Sequence, residues 1–270
     1  MKDATDFRIE LSGEVAGKNG PDCRNNVEYR GIWVKKLKKS SETLVTKKVS
    51  LVLGPIQCIM EAKERILSKA SDLFMRYGIR SITMDEIATQ LGISKKTIYQ
   101  FFTDKDDMVT AVIDLEIQRN EMECIQFRDQ SENAVHQIFL ALESLEEMLK
   151  STNPLMLYDL EKHHPRAFKK LKEFKYQFLY KVIMDNLQWG IAEELYRADI
   201  QLDIATKCRI ESAFLVFNLD LFPHSRYKIS EVNYELSMLF IHGVVTAKGK
   251  ELIGKYTNER NKKLSHEQKV

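Results

Sequence analysis

The stretch from Thr83 to Lys105 constrains the fold of this chain more than any other part of the sequence. Thr83 and Glu86 are spaced as a capping box, which satisfies the free backbone amides at the start of a helix. Gly92 supplies the positive φ angle that a tight reversal after that helix requires. Ser94 is then placed to cap a second helix. The pattern therefore predicts two short helices joined by a tight turn.

The second short helix has an apolar face and a polar face. Its residues Ile98, Phe101 and Phe102 are expected to point inward, and Ala88 on the first helix is small enough to let the two helices cross closely. The opposite face carries side chains that donate hydrogen bonds, namely Lys95, Lys96, Thr97, Tyr99 and Gln100. This arrangement is typical of a helix-turn-helix, whose second helix presents its outer face to the major groove of DNA. The alternative, a surface hairpin without a nucleic-acid partner, would not require so many donors on one short face.

Residues 61 to about 113 resemble the N-terminal domain of the TetR (tetracycline-repressor) family of regulators. The resemblance rests on a leading helix ending in Tyr77-Gly78 and on three further motifs: Ile82-Thr-Met-Asp-Glu-Ile-Ala88, Leu91-Gly-Ile-Ser94 and Tyr99-x-x-Phe-x-x-Lys105. It implies that bases are read by Lys95, Lys96, Thr97 and Gln100. It also implies that phosphates are held by Thr83, Tyr99 and Lys105. Ser94 completes the predicted DNA-binding surface.

The overall charge does not by itself indicate a nucleic-acid partner. The 270 residues include 41 basic and 39 acidic side chains, with a formal net charge of +2, so contacts with phosphates must depend on local placement. The scattered cysteines favour reduced thiols over a disulfide framework or a zinc site: Cys23, Cys58, Cys124 and Cys208. No apolar run approaches the roughly 18 residues of a membrane span, and the N-terminus lacks the architecture of a signal peptide. We therefore expect a cytoplasmic protein with no membrane contact.

Residues 1–59 differ from the rest of the chain. Glycine, proline and asparagine interrupt any helical period, lysines cluster between residues 35 and 48, and residues 44–53 form a candidate strand without a partner. Three interpretations stay open: a basic arm that contacts phosphates, a disordered extension, and translated sequence upstream of a start at Met60. We expect residues 1–59 to be a disordered or mis-annotated extension. A DNA-binding domain is predicted at 60–106 and a helical effector-binding and dimerisation domain at 107–270.

Beyond residue 60 the apolar periodicity is helical and no strand is indicated. After a leading helix over 61–77, the spacing predicts a connector helix over 105–128, helices over 131–150, 153–162, 164–193, 203–221 and 230–245, and a short helix over 251–256. The fold class is therefore all-α, with a three-helix helix-turn-helix domain followed by a larger bundle. The resemblance extends weakly to the turn after Trp189, where Glu194 stands at a position that family members often fill with glycine.

No catalytic or metal-binding constellation is indicated. Adjacent side chains on a helix diverge by about 100°, so a solvated helix start is favoured over a metal site for His163 and His164. No nucleophile–base pair and no glycine-rich phosphate loop is visible. We therefore expect neither catalysis nor a cofactor. Aromatic residues such as Phe174, Phe178 and Trp189 are candidates for a ligand cavity or for ordinary core.

The resemblance implies a repressor that binds a palindromic operator in double-stranded DNA as a homodimer and is released by a small-molecule effector. Dimer contacts are expected on the last two long predicted helices, at Phe214, Phe217, Met238 and Ile241. The sequence specifies neither the effector and its binding residues nor the operator. Two other classes stay open: a non-specific architectural DNA-binding protein, and an enzyme with an attached helix-turn-helix.

Overall fold

The computed structural model describes residues 26–29, 32–35 and 61–267 of a chain that divides into two units, 1–56 and 57–270. In the first unit, strand β1 (Asn26–Tyr29) pairs antiparallel with strand β2 (Ile32–Lys35). Sequence patterns did not predict this hairpin. The candidate strand at 44–53 lies outside the described residues, as does most of the proposed extension, so the interpretation of residues 1–59 stays a prediction.

The second unit opens with the helices of the predicted motif. They are α1 (61–77), α2 (Met84–Leu91), α3 (Lys95–Tyr99) and α4 (Lys105–Gln130). These helices share a core of apolar side chains that are at most 2% exposed: Ile66, Ala70, Phe74, Ile87, Ile98, Met108 and Val109. Burial of apolar surface is the main force that holds so small a unit together.

A helical bundle follows. It consists of α5 (Ala134–Ser151), α6 (Met156–His163), α7 (Pro165–Glu173), a π-helical turn (Phe174–Leu179), α8 (Tyr180–Ala192), α9 (Leu202–Leu215), α10 (Ile229–Val244) and α11 (Ala247–Glu267). Helix α4 packs on α5 and α7, α5 packs on α8, α10 and α11, and α9 packs on α8 and α10. The all-helical architecture expected beyond residue 60 is confirmed.

The core of the helix-turn-helix unit continues into the bundle. Leu160 of α6 and Ala167 of α7 belong to the same buried cluster as the apolar residues of α1 to α4. The predicted domain boundary between residues 106 and 107 falls inside the continuous helix α4. The two predicted domains therefore share packing, and the boundary itself stays a prediction.

Two helix bounds differ from the predicted ones because asparagine side chains form local turns. Helix α6 begins at Met156 rather than near Pro154, since the Asn153 carboxamide oxygen accepts a hydrogen bond from the Leu155 amide at 2.9 Å. Helix α9 ends at Leu215 rather than at 221, and the Asn218 side chain accepts hydrogen bonds from the two amides at 220 and 221. Asparagine competes with helical hydrogen bonding in this way.

Helix α11 is much longer than the short helix predicted over residues 251–256. It runs from Ala247 to Glu267 and forms ion pairs with residues on or just before α5: Lys255 with Glu132, Arg260 with Glu146, and Lys263 with Glu143. The helix therefore continues beyond residue 256, where its charged side chains meet partners on another helix.

Candidate nucleic-acid interface and internal cavity

Caps and one glycine fix the helix-turn-helix. The Thr83 hydroxyl accepts a hydrogen bond from the Glu86 amide at 3.2 Å, and the Glu86 carboxylate accepts one from the Thr83 amide at 2.6 Å. Gly92 ends α2 with a φ of 66°, and the Ile93 amide donates to the Ala88 carbonyl at 3.0 Å. The predicted capping box and tight turn are confirmed.

Helix α3 is short and depends on its first residues. The Ser94 hydroxyl accepts a hydrogen bond from the Thr97 amide at 3.1 Å and lies 2.9 Å from the Thr97 hydroxyl. Ile98 is fully buried beneath the helix. Thr83, Ser94 and Thr97 therefore have structural roles in addition to the DNA contacts predicted for them.

The outer surface of α3 brings the remaining predicted residues of this helix together. Lys95, Lys96, Tyr99 and Gln100 are all exposed, including 45% of the Tyr99 side chain. Ammonium, phenol and carboxamide groups donate hydrogen bonds to phosphate oxygens and to the edges of bases. The geometry suits a nucleic-acid surface, and the individual contacts stay predictions.

Lys95 has a partner on the neighbouring helix. Its Nζ atom lies 2.9 Å from Oδ2 of Asp85 on α2, and this hydrogen bond raises the pKa of Lys95. Both side chains are exposed, and ion pairs in contact with water are weak. A phosphate can therefore replace Asp85 as the partner of Lys95.

Lys105 differs from the lysines of α3 because it is partly buried at the start of α4. Burial lowers the pKa of its ammonium group, while the carboxylates of Asp159 and Glu86 act in the opposite direction. Its Nζ atom lies 6.0 Å from the centre of the Phe74 ring. Lys105 thus sits between the helix-turn-helix and α6, and its predicted phosphate contact stays a prediction.

Polar contacts join the helix-turn-helix unit to the bundle. The buried Asp159 carboxylate on α6 accepts a hydrogen bond from the Arg80 amide at 3.1 Å. His164 Nδ1 lies 2.9 Å from Oδ1 of Asp106 in the first turn of α4. Because the His164 side chain is only 12% exposed, the expectation of a solvated position is wrong for this histidine. These contacts join α6 to the segment between α1 and α2, and the residue before α7 to the start of α4.

The bundle contains a cavity of about 720 Å³, within the range of roughly 300–1,000 Å³ that is typical of ligand sites. Its wall is mainly apolar and includes Ile113, Phe127, Leu160, Phe174, Phe214, Phe217 and Phe240. Phe174 was a sequence-based candidate for this role. The cavity touches α4 and α6, the helices that also contact the helix-turn-helix unit.

The residues predicted to form dimer contacts line the cavity or pack in the core of the protomer. Phe214 and Phe217 line the cavity. Ile241 is 1% exposed in the bundle core, and Met238 packs against the same core. Apolar character alone does not distinguish core residues from interface residues, since apolar residues of both kinds occur on the same helices.

Two large apolar side chains on these helices face solvent instead. Ile204 on α9 is 65% exposed and Leu239 on α10 is 70% exposed. The two helices that carry these exposed residues pack against each other. Such exposed apolar residues are the kind that protein interfaces cover.

Arg209 is a cavity residue that sequence patterns did not single out. It lies beside Ile210 on the side of α9 that packs inward, and its place at the cavity becomes apparent only in the folded structure. Within the described part of the chain, no group of His, Cys, Asp and Glu residues is arranged to hold a metal ion. None of the helices there is long and apolar enough to cross a membrane.

Residues 66–112 match the family model "Bacterial regulatory proteins, tetR family". The matched segment runs from within α1 into α4 and includes all of α2 and α3. The helix-turn-helix and its apolar supports are thus the part of the chain that carries this match.

Similarity to individual proteins extends further. The HTH-type transcriptional regulator YvaF of Bacillus subtilis is 27% identical over 187 residues, which are 67% of this chain and 88% of that protein. A TetR-family transcriptional regulator from Agrobacterium tumefaciens has a TM-score of 0.60 at 14% identity, over 70% of this chain and all of that one. The regulator FadR of Bacillus subtilis, solved in complex with stearoyl-CoA, has a TM-score of 0.51 at 14% identity, over 67% of this chain and 98% of that one. At these identities the two solved structures establish the fold alone.

Proposed function

Because the chain belongs to the TetR family of bacterial regulatory proteins, we propose that it is a cytoplasmic repressor that binds a palindromic operator as a homodimer. A small molecule in the bundle releases it from DNA. The observation that carries this proposal is the exposed surface of α3, where hydrogen-bond donors project from a helix held by its caps and by buried Ile98.

The donors on α3 divide into two groups by chemistry. Lys95 and Lys96 suit the O6 and N7 acceptors of guanine, and the Gln100 carboxamide suits adenine. Tyr99 on α3 and Lys105 at the start of α4 suit phosphates, which fix the register of the helix without reading sequence. Thr83 and Ser94 add hydroxyls at the helix starts.

A dimer is proposed because one helix-turn-helix contacts few bases. Two-fold dimers place two recognition helices about 34–36 Å apart, one turn of DNA, on the halves of a palindrome. The exposed Ile204 and Leu239 support a pairing surface on α9 and α10. They are proposed in addition to Phe214, Phe217, Met238 and Ile241, whose role at the interface stays a prediction.

Release by an effector is supported by the position of the cavity. Its wall includes Ile113 of α4 and Leu160 of α6, and α6 also carries Asp159, which binds the Arg80 amide. A ligand that fits the cavity best when α4 and α6 are shifted stabilises that arrangement, and it acts only through this difference in affinity. FadR, a structural neighbour, is solved in complex with stearoyl-CoA, which supports a small-molecule effector for this chain.

Selection of binding sites from random DNA with the full chain tests the proposal. We expect a palindrome. A salt-dependent affinity without sequence preference would instead indicate an architectural DNA-binding protein, and turnover of a cavity ligand would indicate an enzyme. On the selected site, Lys95→Ala and Tyr99→Ala should each weaken binding by about 10-fold or more, because the loss occurs in both half-sites.

The exposed Lys228 at the start of α10 provides the matched control. Lys228→Ala removes the same charge far along the chain from α3, so its affinity for the operator should stay within about 2-fold of the wild-type protein. Equal losses for Lys95→Ala and Lys228→Ala would mean that net charge, and not the α3 surface, determines binding.

A further inference from the structure

Arg209 is a cation on the cavity wall with no acidic partner. Arg209 as a whole is half-buried. Within the described part of the chain its guanidinium forms neither a hydrogen bond nor an ion pair, and Nη1 is its nitrogen atom that is both buried and unbonded. Its aromatic neighbour is Phe240, whose ring centre lies 5.7 Å from Cζ. A contact with the face of a ring leaves the planar hydrogen-bond donors of the guanidinium unused.

Such an arrangement is unfavourable without a further partner. Burying an unpaired charge costs free energy unless hydrogen bonds and an opposite charge replace the lost water. Burial lowers the pKa of Arg209 to about 10, so the group stays charged at neutral pH. A guanidinium binds carboxylate and phosphate oxygens through two parallel hydrogen bonds. An anion of this kind matches the unused hydrogen-bond donors of Arg209.

The acidic residues of the cavity lining do not supply this partner. Glu116 accepts hydrogen bonds from Ser71 and Arg119. Glu123 accepts one from Ser144, and Glu147 pairs with Lys150; both of these glutamates are exposed at the surface. The acids are thus engaged near the surface around α4 and α5, while Arg209 stands on α9 among apolar walls.

We propose that the cavity takes an anionic amphiphile, with its aliphatic chain against the phenylalanine wall and its carboxylate or phosphate headgroup on Arg209. This inference rests on the proposed function because it names the chemical class of the effector. Arg209 acts as the residue that selects for an anion, and the apolar wall binds the chain.

Calorimetric titration of the full-length protein with matched C12 probes tests the charge requirement. Dodecanoate and dodecyl phosphate report on the two anionic headgroups, dodecanol on the neutral chain, and dodecyltrimethylammonium on a cation. We expect at least one anion to bind about 10- to 100-fold more tightly than the alcohol, as charged hydrogen bonds allow. Preference for the ammonium probe, or equal affinity for all four, would overturn the proposal.

Variants of two arginines that line the same cavity locate the selectivity. Arg209→Met retains most of the stem but removes the charge, so its affinity for the anion should fall to that of dodecanol, with dodecanol itself little changed. Arg119 is already paired with Glu116 at 2.8 Å, so Arg119→Met should preserve the preference for the anion. A preference retained in Arg209→Met or lost in Arg119→Met contradicts the assignment.

Folding and DNA release are measured separately. Without ligand, Arg209→Met should melt at the same temperature as the wild type or higher, because replacement of an unpaired buried charge removes a desolvation penalty. Loss of dodecanol binding in Arg209→Met would indicate a damaged cavity. In that case the conservative variant Arg209→Lys provides the comparison, and it should bind the anion with intermediate affinity. Arg209-dependent anion binding that leaves the operator complex intact would contradict effector release while supporting the anion site. Release of the operator by other compounds, without anion binding, would support effector release and contradict the anion site.

Discussion

A single backbone angle at residue 92 sets the relation between α2 and α3. Gly92 has a φ of 66°, and a Cβ atom added there would meet nothing within 4 Å. A side chain at this position therefore meets a conformational penalty and no steric one. For an L-residue the left-handed conformation costs roughly 1–2 kcal/mol.

We expect Gly92→Ala to lower the free energy of unfolding by about 1–2 kcal/mol. The matched control is Gly254→Ala in α11, which is also in open space but helical. There the substitution should raise the free energy of unfolding by about 0.5–1 kcal/mol. Urea denaturation measures both variants. A loss of stability at both positions would show that the methyl group, and not the φ angle, is responsible.

The reactivity of Cys124 gives a second test at the residue scale. Burial raises the pKa of this cavity thiol to about 11, and the charges of Glu123 and Glu121 add to the shift. The thiolate is the reactive form, so alkylation by iodoacetamide should be slow at pH 8 and rise about tenfold per pH unit towards pH 11. Peptide-resolved mass spectrometry follows Cys124 beside the exposed Cys208. Equal rates at pH 8 would contradict the burial of Cys124.

At the scale of helices and turns, the turn after α8 brings Tyr196 back into contact with that helix. A Cβ atom at Gly190 would lie 2.1 Å from the Tyr196 ring, so this glycine is required by the close approach of Tyr196. Tyr196 is buried, and its hydroxyl donates to Asn186 at 3.3 Å. Glu194 makes the reversal that returns Tyr196 to α8, with a φ of 60° that glycine adopts more readily.

We expect Glu194→Gly to raise the free energy of unfolding by about 0.5–1 kcal/mol. The relief of roughly 1–2 kcal/mol of left-handed strain exceeds the added chain entropy of glycine, about 0.5–1 kcal/mol. Glu194→Ala keeps the strained φ and removes the carboxylate, so thermal and urea unfolding should show no comparable gain. If both variants gain equally, the charge of Glu194 and not its backbone is the destabilising feature.

The elements that could be predicted from the sequence are those with local signals. The capping box at Thr83, the turn at Gly92 and the apolar period of α1 need only neighbouring residues, and all three are confirmed. The full length of α11 could not be predicted because its polar side chains depend on partners near α5. Arg209 was missed for a similar reason: its lack of a partner is visible only once the cavity walls are assembled.

At the scale of the whole molecule, the cavity and the helix-turn-helix are linked through the same helices. The cavity wall includes Ile113 of α4 and Leu160 of α6, and Leu160 also belongs to the core of the helix-turn-helix unit. Asp106 at the start of α4 contacts His164 between α6 and α7. The proposed effector release would therefore act through packing that the cavity and the helix-turn-helix share.

The proposed dimer can be tested at the outer face of α9 and α10, where we infer that two copies pair. Leu239 is 70% exposed in the protomer, and burying a leucine contributes about 1.5–3 kcal/mol. A two-fold interface contains each residue twice, so Leu239→Asp should weaken dimerisation by at least about 100-fold. Light scattering across protein concentrations should show that this variant is a monomer. Its affinity for the operator should also be low.

Leu221→Asp, at a residue 55% exposed beyond the end of α9, provides the control and should remain dimeric. If Leu221→Asp dissociates and Leu239→Asp does not, the dimer forms through the loop after α9 and not through the α9–α10 face.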